Sequence, residues 1–195
     1  MPESRPGFDA NLRLYAQMQP DAPSLAHLLS LQQALPPGTR LVPRRQLHGT
    51  LIHFGKVLDV YRVISTETGI SLPAYERLLA GYIARTEALL PAATFRLEPV
   101  GFAGFGARGS TLVVEYLPSA ELTALHGELH AALVDFLAAC GVSGTEAFMA
   151  ADPNLMFAST LRPHISLARG FAGALPSLPL ESVTLQPMPV VYPGH

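Results

Sequence analysis

Each half of this 195-residue chain carries one copy of a short pattern, His-x-Thr/Ser-apolar, inside a segment whose residues favour a β-strand. The first copy is HGTL at residues 48–51, and the second is HISL at residues 164–167. Because residues i and i+2 of a strand project to the same face, each copy predicts one imidazole and one hydroxyl side by side. Two such strands placed together would present a pair of each group to one cleft.

The order of elements constrains the fold further. Leucine stripes and breaker residues predict helices over residues 24–35, 73–90 and 119–140. Strands are predicted over residues 11–18, 40–54, 94–100, 111–117, the second tetrapeptide and a proline-rich C-terminal pair. Since each half carries strands, a helix and one tetrapeptide, we expect an α+β fold of two similar lobes within a single domain, residues 1–195.

Composition excludes several classes of protein. Hydrophobic residues make up 49% and charged residues 14%, which indicates a packed globule. The net charge is −2 without a lysine- or arginine-rich run, which disfavours binding of long nucleic acid through its phosphates. No apolar run approaches the roughly 18 residues of a membrane span, and residues 1–15 lack the pattern of a signal peptide. We therefore expect a soluble, cytoplasmic protein, and we expect the single cysteine, Cys140, to serve packing.

The paired residues predict a chemistry. Hydrolysis of a phosphodiester needs a base for the nucleophile and an acid for the leaving oxygen, and histidine serves both roles near neutral pH. Hydroxyls can donate hydrogen bonds to the non-bridging phosphate oxygens. We therefore predict that His48 and His164 are catalytic and that Thr50 and Ser166 bind phosphate, without a metal or cofactor. Which histidine is base and which is acid stays open.

Other histidines and glycines give weaker signals. His126 and His130 are four residues apart on a predicted helix and could share a metal, but we expect a solvated helix face. His53 is expected on the opposite strand face from His48, in a packing role. The glycine-rich residues 101–106 lack the Lys-Ser/Thr of a phosphate loop and predict a hairpin turn.

Arginines and one tyrosine are further candidates near the tetrapeptides. Arg162 and Arg169 flank the second tetrapeptide and could neutralise phosphate charge. Arg44 and Arg45, just before the first, are weaker candidates for the same role. Tyr192 could stack a base, with a core or rim position as the default.

The two tetrapeptides, with Phe54-Gly55 after the first and Arg162-Pro163 before the second, resemble the two-histidine (2H) phosphoesterase superfamily. Its bacterial members include RNA 2′,3′-cyclic phosphodiesterases, also called RNA 2′,5′-ligases. Residues 112–133 are similar to the strand-then-helix that precedes the second motif in that family. The resemblance implies two pseudo-symmetric lobes, each an antiparallel sheet with helices packed outside, and a central cleft in which His48 and His164 act without a metal.

We therefore expect a phosphoesterase that hydrolyses 2′,3′-cyclic phosphodiesters of RNA ends or small nucleotides, acting as a monomer. Gly49 departs from the apolar residue usual in the family, and residues 56–74 and 141–160 form extra length expected near the cleft mouth. One alternative is a non-catalytic RNA- or nucleotide-binding protein on the same fold. Another is a metal-dependent hydrolase with ligands distant in sequence, such as Asp152.

Overall fold

A computed structural model describes residues 12–188 and 191–192 of the chain. The strands are β1 (Arg13–Pro20), β2 (Arg40–Leu41), β3 (Gly49–Lys56), β4 (Phe95–Leu97), β5 (Pro99–Phe105), β6 (Thr111–Tyr116), β7 (His164–Arg169), β8 (Val183–Met188) and β9 (Val191–Tyr192). The helices are α1 (Ala22–Gln33), α2 (Val57–Thr68), α3 (Leu72–Leu89), α4 (Ala120–Ala139) and α5 (Thr145–Ala151).

The described strands form one antiparallel sheet in the order β4-β8-β1-β3-β7-β6-β5. Strand β9 also pairs with β1, and β2 also pairs with β7. Two groups of strands, β4-β8-β1-β3 and β7-β6-β5, meet at a single register pair, Gly49 with Ile165. We call this pair the seam. The predicted α+β fold is confirmed, and the two groups of strands correspond to its two lobes.

The lobes are interleaved along the chain. Strand β8 returns from the C-terminal region to lie between β4 and β1, and it pairs with β1 from Gln17↔Met188 to Pro20↔Leu185. The first lobe therefore combines strands from the N-terminal half (β1, β3 and β4) with β8 from the C-terminal region, and the second lobe consists of strands that lie between β4 and β8 in the chain. Each lobe still receives one of the two tetrapeptides.

The three predicted helices are present within a few residues of their predicted bounds. Asp21 caps α1 because its Oδ1 accepts a hydrogen bond from the Ser24 amide at 2.9 Å. Helix α1 packs against β1, β8 and β7, and it buries Leu28 and Leu31. Helices α3 and α4 pack against each other, and α4 also contacts β3. Among the described residues, no helix is both long enough and apolar enough to cross a membrane.

Helix α2 lies in a segment that we expected near the cleft mouth. Its residues Val57, Val60 and Ile64 are buried, and the helix packs on β3 and α3. The hydroxyl of Tyr75 donates to the carbonyl of Val57 at 2.9 Å, which ties α3 to the start of α2. The periodic apolar residues of α2 therefore belong to the core, and the position of residues 56–74 near the cleft mouth stays a prediction.

The helix face that carries His126 and His130 is not solvated, contrary to the prediction. His126 is only 7% exposed, and burial lowers its pKa. The segment that follows α4 packs on this helix: helix α5 contacts α4, Glu146 lies 3.7 Å from His130 Nε2, and the backbone of Ala158 hydrogen-bonds His126. Cys140 is also buried, and burial raises the pKa of its thiol to about 11, as suits a packing role.

The glycine-rich hairpin is present, but its turn lies later than predicted. Strand β5 continues through Phe105 and pairs with β6 up to Phe105↔Thr111. A Cβ added at Gly104 would meet the Gly109 carbonyl oxygen at 2.7 Å, so the backbone of the turn approaches β5 too closely there for a side chain. The glycines of residues 101–104 therefore belong to a strand, and the turn occupies residues 106–110.

Candidate active site

A cavity of about 490 Å³ opens beside the seam, where β3 and β7 meet. All four residues predicted from the tetrapeptides line it, namely His48, Thr50, His164 and Ser166. The remaining wall consists of Arg13, Tyr15, Val42, Gln46, His53, Gly55 and Arg169. The structure therefore brings the two tetrapeptides together around one space.

Strand β7 holds the second tetrapeptide with regular alternation. Ile165 and Leu167 are fully buried, while His164 and Ser166 are half-buried and face the cavity. Because Ile165 is one member of the seam, the imidazole beside it lies next to the junction of the lobes. The i, i+2 prediction for this strand is confirmed.

The first tetrapeptide begins one residue before β3, so His48 directly precedes the strand. Leu47 and Leu51 are buried behind it, and Gly49 forms the seam with Ile165. Residues His48 and His164 each adjoin one member of the seam. The two imidazoles therefore reach the cavity from opposite sides of a single backbone pair.

Beyond Thr50 the alternation of β3 is broken. Thr50 pairs with Gln17 and His53 pairs with Tyr15, so three steps along β3 match two steps along β1. The extra residue makes a β-bulge, which turns His53 to the face that Thr50 occupies. The prediction that His53 points away from the site is therefore wrong. The adjacent apolar residues Leu51-Ile52 are the signal that could have shown the break.

The His48 ring lies against an aromatic wall. It stacks on Tyr15 with ring centroids 5.7 Å apart and an interplanar angle of 22°. Its Nδ1 is buried, and no residue in the described part of the chain bonds it. Burial is the main cause that lowers the pKa of His48, and the positive charges of His164 and Arg169 lower it further.

The His164 ring is held differently. Its Nδ1–H donates to the carbonyl of Arg162 at 2.8 Å, and its ring packs on Phe105 with centroids 4.5 Å apart. Burial lowers the pKa of His164, but the Arg162 carbonyl and the Glu115 carboxylate oppose this effect. With Nδ1 committed to a carbonyl, Nε2 is the nitrogen that can exchange a proton.

The flanking arginines divide into two kinds. Arg169 lines the cavity and donates to Gln46 Oε1 at 3.2 Å, and its phosphate role stays a prediction. Arg162 is outside the cavity wall: its guanidinium lies 4.3 Å over the Phe105 ring and pairs with Glu115. Arg162 thus supports the His164 ring through Phe105, on which both side chains pack.

Other candidates fall outside the site, and several residues of the cavity wall were missed, namely Arg13, Tyr15, Val42, Gln46 and Gly55. Arg44 and Arg45 line a separate groove, and the side chain of Tyr192 lies outside the described residues. Arg13 and Tyr15 of β1 were missed as cavity residues. Their spacing of two, together with the alternation of residues 11–18, is the signal that could have found them.

Asp152, the distant metal-ligand candidate, serves a turn. It is buried, and its Oδ1 accepts from the Asn154 amide at 2.7 Å. Within residues 12–188 and 191–192, no group of three or more His, Cys, Asp or Glu side chains is arranged to hold a metal ion. The cavity itself offers imidazoles that can move protons, hydroxyls that can donate, and arginines that can hold an anion.

No protein-family profile and no curated protein matches the sequence. The fold is similar to the crystal structure of TT0787 of Thermus thermophilus, with a TM-score of 0.54 and 22% identity over 93% of this chain and 84% of that chain. It is also similar to E. coli LigT in apo form and complexed with 3′-AMP, each with a TM-score of 0.52 and 18% and 16% identity respectively. Both LigT comparisons cover 95% of this chain and 98% of the other.

These likenesses extend over nearly the whole chain, and at such identities they establish a shared fold. The α+β fold implied by the resemblance to the 2H phosphoesterase superfamily is thereby confirmed.

Proposed function

We propose that this chain is a metal-independent phosphoesterase of the 2H type that hydrolyses 2′,3′-cyclic phosphodiesters of RNA ends or small nucleotides. The observation that carries the proposal is the convergence of His48, His164, Thr50 and Ser166 on one cavity. A paired acid and base are what opening a phosphodiester requires. A volume of about 490 Å³ lies within the range of small-ligand sites.

In the proposed reaction, one imidazole takes a proton from water while the oxygen of that water attacks phosphorus. The bond from phosphorus to one ribose oxygen breaks, and the other imidazole gives that oxygen a proton. The products are a phosphomonoester and a free ribose hydroxyl. Thr50, Ser166 and Arg169 hold the non-bridging oxygens, whose charge must be stabilised as the bond breaks.

The coupling between the two rings suits this scheme. A charge on His164 lowers the pKa of His48, so a second proton enters the pair less readily than the first. The singly protonated pair, with one acid and one base, is the state that the reaction needs. We therefore expect a bell-shaped dependence of kcat/KM on pH.

The complex of E. coli LigT with 3′-AMP supports a nucleotide as the ligand, since that protein shares this fold. The low net charge of this chain, −2, favours a small nucleotide or an RNA end over a long strand. The alternative is a protein that binds such a ligand without turnover.

The test is turnover of 2′,3′-cyclic nucleotides in the presence of a chelator. We expect His48→Ala and His164→Ala each to lower kcat/KM by about 10²–10⁴-fold. His27→Ala is the matched control, because His27 accepts a hydrogen bond from the Glu181 amide and is not part of the cavity wall. Full activity in His48→Ala or in His164→Ala would remove the substituted histidine from the mechanism. Binding by the wild type without product would favour the non-catalytic alternative.

We also propose that the chain acts as a monomeric, cytoplasmic protein and folds as one bilobal unit. The sheet that runs through both lobes supports cooperative folding. Light scattering in solution would test the monomeric state, and cell fractionation would test the location. Unfolding transitions that coincide when measured by two probes would support folding as one unit.

A further inference from the structure

We propose that His53 is a specificity-determining residue of the same cavity, whose Nε2 accepts a hydrogen bond from the nucleoside part of the substrate. The donor would be an exocyclic amine of the base or the 5′-hydroxyl. This inference rests on the proposed function and adds to it a contact that is separate from the acid and base. His53 is not part of either tetrapeptide, and the β-bulge is what brings it to the cavity.

The position of His53 relative to the phosphate-binding residues supports this role. His53 and Thr50 pair with Tyr15 and Gln17, which are two residues apart on β1. Two residues of a strand span about 7 Å. His53 thus lies farther along the cavity wall than Thr50. The displacement from Thr50 is one that a ribose ring can span.

The hydrogen bond of His53 determines what its free nitrogen can do. Its Nδ1 lies 2.7 Å from the carbonyl oxygen of Asn154. A carbonyl only accepts, so Nδ1 carries the proton, and in the neutral ring Nε2 is then an acceptor. In the described chain no residue bonds Nε2. The oxygens of a cyclic phosphodiester carry no proton to donate, whereas amines and hydroxyls of a nucleoside do.

A built support holds the ring in this orientation. Asn154 belongs to a turn in which the buried Asp152 accepts from the Asn154 amide at 2.7 Å. On the strand side Gly55 has a φ of +91°, and a Cβ there would lie 2.8 Å from the Asn154 Cβ. The turn therefore fits against β3 only where the strand has no side chain. The strand and the turn together hold the His53 imidazole through its Nδ1, and the Nε2 edge of the ring is then available to the cavity.

The experiment compares substrates that differ by one donor. The pairs are the 2′,3′-cyclic phosphates of adenosine and purine riboside, guanosine and inosine, cytidine and 2-pyrimidinone riboside, and adenosine and 5′-deoxyadenosine. We expect the wild type to favour the donor-bearing member of at least one pair by about tenfold in kcat/KM, the size of one hydrogen bond left unmade. We expect His53→Phe and His53→Asn to reduce that ratio to about one.

Two further variants separate recognition from packing. His53→Gln retains an acceptor near the position of Nε2, so we expect it to keep part of the ratio, whereas a packing role predicts no such rescue. Gly55→Ala should push Asn154 away and shrink the ratio without touching the ring itself. His27→Asn is the control and should keep the full ratio. Unfolding curves for each variant show whether a loss comes from misfolding.

Failure of this inference is distinguishable from failure of the proposed function. Turnover without discrimination in any pair, or discrimination that survives in His53→Phe, would overturn the role of His53 alone. If the wild type shows no turnover, calorimetric binding of the matching nucleoside 3′-monophosphates gives a second readout. Selective binding that His53→Phe abolishes would support the contact, whereas absence of both turnover and binding would overturn both proposals.

Discussion

His48 and His164 occupy matching places in two tetrapeptides, yet the groups around their rings differ. His48 stacks on Tyr15, and its Nδ1 is buried without a bond from the described residues. His164 donates from Nδ1 to a backbone carbonyl and packs on Phe105. Burial lowers the pKa of both. Neighbouring cations lower that of His48 further, whereas at His164 the Arg162 carbonyl and the Glu115 carboxylate oppose the effect of burial and of the Arg162 charge.

The difference shows what a short repeated motif determines and what it leaves to its neighbours. The i, i+2 spacing places an imidazole and a hydroxyl on one face in both lobes. Burial has the largest effect on the pKa of each imidazole, and charged residues outside the motif, such as Arg169 and Glu115, then shift the two pKa values in opposite directions. A pair of histidines that must act as one acid and one base needs such unequal surroundings.

The largest effect is expected from removing both histidines, which tests whether the two sites act as one unit. Each single change to Ala should lower kcat/KM by about 10²–10⁴-fold. The double variant of His48 and His164 should lose little beyond the more damaging single change, because acid and base act in the same step. Single-turnover rates measure this, and losses that multiply would show that the two residues act independently.

A smaller effect is expected from the hydroxyls, where the two lobes should behave alike. Thr50→Val and Ser166→Ala each remove one hydroxyl from the cavity wall, and each hydroxyl is a proposed donor to the phosphate. Because hydrogen bonds to charged groups contribute about 1.5–3 kcal/mol, we expect kcat/KM to fall about 10- to 100-fold in each variant. Steady-state kinetics with one cyclic nucleotide would check it. A large loss in one variant with none in the other would mean that a single lobe holds the phosphate.

Single substitutions of charged neighbours should change the pKa of one imidazole at a time. The negative charge of Glu115 raises the pKa of His164, so Glu115→Gln should lower that pKa and move its limb of the rate profile to lower pH. The positive charge of Arg169 lowers the pKa of His48, so Arg169→Gln should raise it. Proton NMR titration of the imidazoles measures both shifts. Glu98→Gln is the control, since Glu98 pairs with the exposed Arg96. If this variant shifted the pKa of His48 or His164, the attribution of the shifts to Glu115 and Arg169 would be contradicted.

The smallest effect is expected at the second position of the first tetrapeptide. A Cβ at Gly49 would lie 3.4 Å from the Met18 Cε and 3.5 Å from the Leu185 Cδ1, so a methyl group fits with little movement. Gly49→Ala should change the free energy of unfolding by less than about 1 kcal/mol. Gly49→Ile, which copies Ile165 of the second tetrapeptide, should overpack and cost about 1–3 kcal/mol. Urea denaturation would measure both, and an equal cost would contradict this description.

Features governed by local spacing could be predicted from the sequence. The fully buried Ile165 and Leu167 alternate with the cavity residues His164 and Ser166, as the pattern of β7 predicts. The leucine stripes likewise predict three helices close to their observed bounds. Helix α2 was missed, although Val57, Val60 and Ile64 have helical spacing and Gly69 follows as a left-handed cap.

Features governed by distant pairing could not be predicted in this way. The face on which His53 lies depends on how β3 pairs with β1, because the bulge exists only in relation to that partner. His126 is buried, and its backbone hydrogen bond is with Ala158, which follows it at a distance in the chain. The interleaving of the lobes depends on where β8 enters the sheet. Each of these features depends on contacts between residues far apart in the chain. The two-residue period of a strand carries no information on such contacts.

The seam has a consequence for how such a protein can diversify. Its two members, Gly49 and Ile165, adjoin the two imidazoles, so the gap between the proposed proton donor and acceptor is set by main-chain pairing. The residues that would read the nucleoside, such as His53, are carried on other parts of the wall. Exchanging those side chains can therefore retune ligand preference while the reacting groups keep their separation.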